Sequence, residues 1–420
     1  MERALWDKLF YRQTQTKQMS KSFLAVINKK IAPLCSAIMI LFNVNAYSQT
    51  ISKKWIGQNL QGATKQYKEL MQKIPADVMP ESFQNGNLIT CNSSSWVAGF
   101  YPGTLLYLYE ATGDKTIYDE ALKKIVLMDE QQYNKQTHDL GFMMYCSYGN
   151  LYRLSPLGKH KEILLNSARS LSTRFNPKVG CIRSWGRSDD TTEFRVIIDN
   201  MMNLELLMWA TKVTGDSSFY NIAVTHANTT LQNHFRPDYS SYHVVVYNPR
   251  TGAVIKKETA QGAFDESAWA RGQSWGLYGY TMMYRYTKDK KYLNQAQHIA
   301  SFILNNPKLP SDKIPYWDYN APGIPNAQRD ASAGAIMASV LIELSGYSND
   351  NLSKKYLGTA STILRTLSSS EYKAAIGTNG GFLLMHSVAN MNKNAEVDAP
   401  LPYADYYYTE AMYRYKKLLK

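Results

Sequence analysis

Two kinds of apolar pattern alternate along the chain, and together they predict a helical architecture. Helices that are buried on every side are apolar or aromatic nearly all round, and four segments have this character: GTLLYLYEA, MNLELLMWA, RGQSWGLYGYTMMYRY and AGAIMASVLIEL. The segments that follow them are amphipathic, with Lys and Glu on one face. Regular alternation of a buried and a half-exposed helix predicts a ring of inner helices enclosed by outer ones.

A loose internal repeat marks the start of the amphipathic helices. The sequences TGDKTIYDEALKKI, TGDSSFYNIAVTHA and TKDKKYLNQAQHIA each contain an aspartate that is followed seven residues later by an alanine. The aspartates are Asp114, Asp216 and Asp289, and the alanines are Ala121, Ala223 and Ala296. We predict that each aspartate is the N-cap of a helix and that each alanine lies where that helix packs closely. A looser copy, YSNDNLSKKYLGTA, begins at Tyr347.

The first 46 residues have the features of a signal peptide. Lys21, Lys29 and Lys30 precede the apolar core IAPLCSAIMILFNV, and a small-residue cleavage motif ends at Ala46. The core is too short and too interrupted to be a membrane span, and Met19 is a plausible start of the signal. The sequence therefore predicts an exported, periplasmic protein whose mature part is residues 47–420.

The length of the mature part fixes the number of helix pairs. At about 60 residues per helical hairpin, this part accommodates six hairpins. We therefore predict an all-α fold, an (α/α)6 barrel with a few short β-hairpins in its loops. The clearest strand pattern is HVVVYNPRTGAVI, a hairpin that turns between Asn248 and Gly252.

Charge and cysteine content narrow the class of partner. The chain has 47 basic and 34 acidic residues, and residues 1–46 hold seven and two of them, which leaves the mature part a net charge of +8. Such a protein can meet nucleic acid, anionic lipid or acidic polysaccharide. The mature part has no basic run of five residues, which disfavours nucleic acid, and no membrane contact is expected after signal cleavage. Cys91, Cys146 and Cys181 permit at most one disulfide, and we expect buried thiols.

Asp199 lies in the apolar run VIIDNMMNLELLMWA, at the start of a predicted inner helix. One interpretation is an N-cap of that helix. The other is a carboxylic acid whose pKa is raised by apolar surroundings, so that it can deliver a proton. Asp139, in THDLGFMMYCSYG, allows the same two interpretations, and the two carboxyl groups could form an acid/base pair.

The segment QGAFDESAWARGQSWGLYGY combines a cation with aromatic residues. If it is helical, Arg271, Trp275 and Tyr278 share one face, which suits a planar anionic sugar or a cation–π pair inside the wall. Three glycines on the neighbouring face, Gly272, Gly276 and Gly279, predict a close approach by an outer helix or a ligand.

Other candidates lie in loops. Trp96 and Trp185 occur among Ser and Gly, where they could bind a ligand or cover the core, and His243 begins the predicted hairpin. The sequence contains no HExxH, GxSxG, P-loop or paired CxxC motif, so we predict neither a metal nor a cofactor.

Six segments in order along the chain resemble the unsaturated glucuronyl hydrolases of glycoside hydrolase family 88. They are HDLGF, IIDNMMNLELLMWA, QGAFDESAWARGQSWGLYGY, PYWDYNAP, RDASAGA and EVDAPLPYADYYYTEAMYRY. The resemblance implies an (α/α)6 barrel and a hydrolase that removes the 4,5-unsaturated uronic acid from lyase-generated glycosaminoglycan fragments. It does so by hydrating the C4=C5 enol ether.

The resemblance also implies roles for particular residues. Asp199 corresponds to the catalytic acid/base, and Asp139 corresponds to the second active-site aspartate. Substrate contacts are implied for the remaining candidates, which are Trp96, His138, Trp185, His243, Gln261, Arg271 and Trp275. The segment GGFLLMHSVANMNKNAEVD, which contains Ser387 and Lys393, corresponds to the region that selects sulfated or unsulfated substrates.

Three other functions remain open from the sequence. The chain could be an unsaturated rhamnogalacturonyl hydrolase, an ordinary inverting glycosidase on the same barrel, or a glycan-binding protein whose carboxylates are only helix caps. The expected ligand in the main interpretation is an unsaturated uronyl oligosaccharide, sulfated or unsulfated.

Overall fold

Helices of two kinds build the fold in the computed structural model, which describes residues 51–419 except residue 188. The predicted signal peptide lies outside the described residues. In chain order the helices are α1 (Lys53–Met71), α2 (Phe100–Thr112), α3 (Lys115–Val126), α4 (a π-helical part, Gly141–Gly149, continued by Asn150–Leu154), α5 (Gly158–Ser172), α6 (Asn200–Thr214), α7 (Ser217–Asn233), α8 (Ala270–Thr287), α9 (Lys290–Asn305), α10 (Ala331–Ser345), α11 (Asp350–Leu367) and α12 (Pro402–Leu418).

The even-numbered helices form a closed inner ring. Contacts run from α2 to α4, α6, α8, α10 and α12, and α12 contacts α2 again. The odd-numbered helices pack outside this ring, for example α7 on α6, α9 on α8 and α11 on α10. The inner helix α10 buries every residue except Glu343, whereas α9 buries only one face. The predicted (α/α)6 barrel is confirmed.

The repeat aspartates cap the outer helices as predicted. Asp114, Asp216 and Asp289 each accept a hydrogen bond of 2.8 to 3.1 Å from a backbone N–H two residues further on. The three alanines seven residues later are fully buried. In the looser copy, the side chain of Asn349 accepts a hydrogen bond from the N–H of Leu352 and begins α11.

Small antiparallel sheets occupy the loops that precede the inner helices. The strands are β1 (Met79–Gln84), β2 (Asn87–Cys91), β3 (Phe175–Asn176), β4 (Cys181–Ile182), β5 (Phe194–Ile197), β6 (Val244–Tyr247), β7 (Val254–Glu258), β8 (Ser387–Asn390) and β9 (Ala395–Ala399). The predicted hairpin is β6–β7, and Gly252 adopts a φ of 76° in its turn. Strand β5 pairs with β6 and makes this sheet three-stranded, a distant pairing that the hairpin pattern did not indicate.

Two further observations concern the described part of the chain. None of its helices combines the length and apolar character that crossing a membrane requires. Cys91, Cys146 and Cys181 are free thiols, with Cys91 only half-buried and the other two buried. The expectation of buried thiols is therefore confirmed for Cys146 and Cys181 but not for Cys91.

The glycines of α8 allow this helix to pack closely against α6 and against Ile198, just before α6. A Cβ atom on Gly279 would lie 2.5 Å from Cβ of Met201, and one on Gly272 would lie 2.7 Å from the ring of Trp269. The sequence had suggested that an outer helix or a ligand packs closely against these glycines. At Gly279 the close neighbour is instead the inner helix α6. Gly276 has more room, because its nearest neighbours would be side-chain atoms at 3.5 and 3.6 Å.

The difference between these glycines gives a matched test of ring packing. Gly279→Ala forces a methyl group against α6 and should destabilise the protein by about 1–3 kcal/mol. Gly276→Ala should be neutral or stabilising by up to about 1 kcal/mol, because alanine is the better helix former. Chemical denaturation of both variants measures the effect, and equal changes in the free energy of unfolding would contradict the close packing.

Candidate active site

A cavity of about 440 Å³ opens at the N-terminal ends of the inner helices. Its lining contains seven of the nine residues that the sequence singled out: Trp96, His138, Asp139, Trp185, Asp199, Gln261 and Arg271. The other two, His243 and Trp275, are buried next to the wall, at 3% and 0% exposure. Residues far apart in the sequence therefore meet at one site.

Asp199 lies between β5 and α6, with its side chain in the cavity wall. It occupies the N-cap position of α6, but its side chain makes no capping hydrogen bond. The capping interpretation is therefore wrong for this residue. Its Oδ2 atom is buried and has no hydrogen-bond partner among the described residues. A carboxyl oxygen without a donor is poorly suited to carry a negative charge.

Burial raises the pKa of Asp199 to about 7. The positive charge of Arg271 opposes this rise, and the negative charge of Asp139 adds to it. Burial is the largest of these causes, because a buried carboxylate loses its hydration. Near neutral pH the carboxyl group therefore exists in both protonation states, as a group that donates and then accepts a proton requires.

His243 is a neutral neighbour of Asp199. Its Nδ1 atom accepts hydrogen bonds of 3.2 Å from the N–H groups of Ala260 and Gln261. Burial lowers the pKa of His243 to about 3, so the imidazole is neutral and its proton is on Nε2. Nε2 lies 3.7 Å from Oδ2 of Asp199, too far for a direct hydrogen bond. Both atoms are buried and have no hydrogen-bond partner among the described residues.

Asp139 precedes α4 and is the second carboxylate of the cavity. It does not cap the helix, because the N–H of Phe142 donates to Oδ1 of Asn203 at 2.9 Å instead. The amide of Asn203 also approaches Oδ1 of Asp139 at 3.4 Å, and Nε2 of His138 lies 3.3 Å from that oxygen. Burial lowers the pKa of His138. A neutral histidine and an asparagine thus orient the carboxylate.

Arg271 lines the cavity, but the protein itself uses most of its donors. Nη1 lies 3.1 Å from Oδ2 of the buried Asp330 and also donates to the carbonyl of Val388. Nη2 donates to the carbonyl of Ala389 at 2.6 Å, whereas Nε has no partner among the described residues. Arg271 therefore fixes strand β8 and uses three of its five N–H donors to do so.

The aromatic partners of Arg271 differ from the prediction. Its guanidinium lies over the rings of Trp269, at 4.5 Å, and Tyr403, at 5.3 Å, rather than beside Trp275. Arg271 and Trp275 do lie one turn apart on α8, as predicted. However, Trp269, immediately before α8, and Tyr403, in α12, are the aromatic residues that contact the guanidinium.

Trp275 lies behind the wall and does not present a ring face to the cavity. It packs against Phe142 at 5.0 Å and Tyr407 at 5.3 Å between ring centroids. Its indole N–H is directed toward Asp199 and slightly lowers the pKa of that carboxyl group. The predicted substrate contact of Trp275 would require a path to a residue that is fully buried here.

Two half-buried tryptophans form aromatic parts of the cavity wall. Trp96 packs against Tyr403 at 5.0 Å and Phe142 at 5.6 Å, and Trp185 meets His243 edge-on at 5.6 Å. Flat rings of this kind pack against the apolar faces of sugars.

The hairpin β8–β9 contributes residues that the sequence indicated only weakly. Asn390 and Lys393 line the cavity, whereas Ser387 is fully buried. Gln261 donates from Nε2 to the carbonyl of Ala389 at 2.9 Å and helps hold the hairpin in place. Sequence reasoning also missed three apolar residues of the lining: Phe142, Ile197 and Ala260.

A second cavity, of about 410 Å³, lies toward the C-terminal ends of the inner helices. Its central charges pair with one another: Arg285 with Glu205 and Glu343, and Arg414 with Glu343 and Glu410. Each of these carboxyl groups, including Glu205, therefore has a cationic partner, whereas Oδ2 of Asp199 has no hydrogen-bond partner among the described residues. We therefore assign the chemistry to the first cavity. In the described residues, no three His, Cys, Asp or Glu side chains are grouped to hold a metal ion.

Comparison with known proteins agrees with this geometry. An unsaturated glucuronyl hydrolase of Formosa agariphila is 43% identical over 403 residues, which cover 93% of this chain and 99% of that protein. An unsaturated chondroitin disaccharide hydrolase of Streptococcus pneumoniae is 32% identical over 374 residues, which cover 87% of this chain and 93% of that protein.

Solved structures and a family profile lead to the same conclusion. A crystal structure of an unsaturated glucuronyl hydrolase specific for heparin matches with a TM-score of 0.84 and 48% identity, covering 88% of this chain and all of that one. The profile of Glycosyl Hydrolase Family 88 matches residues 63–415, most of the part of the chain that forms the barrel. This chain belongs to glycosyl hydrolase family 88.

Proposed function

We propose that this protein removes the 4,5-unsaturated uronic acid from the non-reducing end of glycosaminoglycan fragments that polysaccharide lyases produce. The observation that carries the proposal is the carboxyl group of Asp199, whose pKa burial raises to about 7 at the wall of a cavity. Family membership and the names of the relatives support the same reaction.

In the proposed mechanism, Asp199 acts first as an acid and then as a base. Its proton is transferred to C4 of the enol ether, and the positive charge that develops is shared by C5 and the ring oxygen. A water molecule adds at C5, and its proton returns to the Asp199 carboxylate. The resulting hemiketal opens to a keto acid and releases the neighbouring sugar. Asp139 and His243 orient the groups around this carboxyl, and no metal is used.

The cations of the cavity support an anionic substrate. The ammonium of Lys393 lies in the cavity lining, and the charge of Arg271 lies in the wall behind it. Because the heparin-specific relative is 48% identical and the chondroitin relative 32%, heparin-derived disaccharides are the first substrates to test. Chondroitin, hyaluronan and pectin-derived disaccharides complete the panel.

Export to the periplasm is a further part of the proposal. It rests on the signal-like pattern of residues 1–46 alone, and mass spectrometry of the secreted protein would show whether the mature chain begins at residue 47.

The site of hydration distinguishes the proposed reaction from ordinary glycoside hydrolysis. In deuterated water the released keto acid should carry deuterium at C4, and oxygen-18 from water should appear at C5. Asp199→Asn should lower kcat at least about 1,000-fold, because the amide cannot donate and recover a proton at the same position. If oxygen-18 appeared at the anomeric carbon, an inverting glycosidase would be indicated instead.

The pH dependence follows from the raised pKa of Asp199. The protonated carboxyl is the active form, so kcat/KM should be high below pH 7 and should fall as the pH rises through about 7. Initial rates, followed by the loss of ultraviolet absorbance of the C4=C5 bond, measure this profile. A rate that instead rose with pH through about 7 would mean that the carboxylate of Asp199 is the active form, against the mechanism proposed here.

Lys393 tests the preference for sulfate. Lys393→Ala should raise KM for a sulfated disaccharide about tenfold more than for its unsulfated counterpart, because only the sulfated substrate loses a charge-assisted contact. Lys393→Arg keeps the charge and serves as the control. An equal loss for both substrates would place the sulfate elsewhere.

A further inference from the structure

Arg174 is a buried cation that binds only backbone carbonyl groups. It follows α5, and its side chain is 3% exposed. Nε donates to the carbonyl of Arg183 at 3.0 Å, and Nη2 donates to those of Ser184, at 3.0 Å, and Gly186, at 3.3 Å. Nη1 donates to the carbonyl of Lys135 at 2.9 Å. A single planar guanidinium therefore joins two loops that are about 50 residues apart in the sequence.

Both loops carry residues of the candidate active site. Residues 183–186 include Trp185, and the loop that contains Lys135 continues into His138 and Asp139. The backbone of Ser184 hydrogen-bonds the ring of His138 as well as Arg174. Displacement of the guanidinium would therefore move the aromatic wall and the second carboxylate relative to each other.

The charge of Arg174 is not explained by an ion pair. No carboxylate of the described residues lies within salt-bridge distance of it, and burial together with Arg183 lowers its pKa to about 10. Asp139 is the group whose negative charge counteracts this lowering. Burying a cation without a close carboxylate partner is costly, so we look for the role of Arg174 in the loop geometry that its hydrogen bonds impose.

We propose that Arg174 is a positioning residue, which holds Trp185 and the His138–Asp139 pair in register at the cavity without contacting the substrate. The inference rests on the proposed function, because it assigns Trp185 and Asp139 to substrate binding and catalysis. It adds a residue outside the cavity lining to the machinery of the reaction.

Arg183 provides a matched control. It has the same 3% exposure and also donates to two carbonyls of its loop, those of Glu193 at 2.6 Å and Asp190 at 2.7 Å. Its guanidinium lies 4.4 Å from the ring of Phe194. These partners do not line the cavity. A lysine at either position keeps the positive charge but cannot span the same set of carbonyls.

The test compares Arg174→Lys with Arg183→Lys. We expect R174K to lower kcat/KM about 10- to 100-fold, since small misplacements of catalytic groups have effects of this size. R183K should lower kcat/KM clearly less than R174K does at equal loss of Tm, because Arg183 binds carbonyls within one loop and does not join that loop to the His138–Asp139 segment. Trp185→Ala should lower kcat/KM by a clearly smaller factor in R174K than in the wild type, because Arg174 and Trp185 act through the same loop.

A readout that does not depend on turnover separates this inference from the proposed function. Hydrogen–deuterium exchange should accelerate in peptides covering residues 134–140 and 181–187 of R174K, and Arg174→Gln provides a second variant if R174K does not fold. Wild-type inactivity on every unsaturated disaccharide would refute the proposed function, and exchange would still decide the positioning role. Unchanged exchange in both peptides, or equal kinetics of R174K and R183K at equal Tm, would overturn the inference.

Discussion

The proposed chemistry of this barrel depends on one carboxyl group that is buried without a full set of hydrogen bonds. Asp199 begins α6, where the helix dipole and the nearby Arg271 both favour its ionised form. Loss of hydration outweighs them and raises its pKa to about 7. Had the side chain capped α6, backbone N–H groups would have stabilised the carboxylate and the acid would have been lost. The absence of the capping hydrogen bond is therefore a condition of the proposed mechanism.

The architecture explains how such a group can be surrounded by other functional residues. All the inner helices begin at the same end of the ring, so the loops before α2, α4, α6, α8 and α12 converge there. At the opposite end of the ring, charged side chains of the inner helices form ion pairs, such as Arg285 with Glu343. The described charges at one mouth are thus paired with one another, whereas the other mouth holds the carboxyl group of Asp199 without a full set of hydrogen bonds.

The sequence predicted what local patterns determine. The barrel followed from apolar periodicity, and the caps at Asp114, Asp216 and Asp289 followed from residues within one turn. The same local signal was misleading at Asp199, because only the packing of distant segments decides where that side chain points. The hydrogen-bond partners of Arg271 could not be predicted from local sequence either, since Asp330 and Val388 lie 59 and 117 residues away along the chain.

The buried residues behind the cavity show why a list of site residues is not yet a mechanism. His243 was expected to contact substrate. Instead, the N–H groups of Ala260 and Gln261 donate to its Nδ1 atom and so fix the tautomer in which Nε2–H faces Asp199. Arg271 and Arg174 donate hydrogen bonds to carbonyl groups of the loops around the cavity and so hold these loops in place. The charge of Arg271 also lowers the pKa of Asp199. These contacts fix the loops around Asp199, whose Oδ2 is buried without a hydrogen-bond partner among the described residues, and this burial raises the pKa of its carboxyl group to about 7.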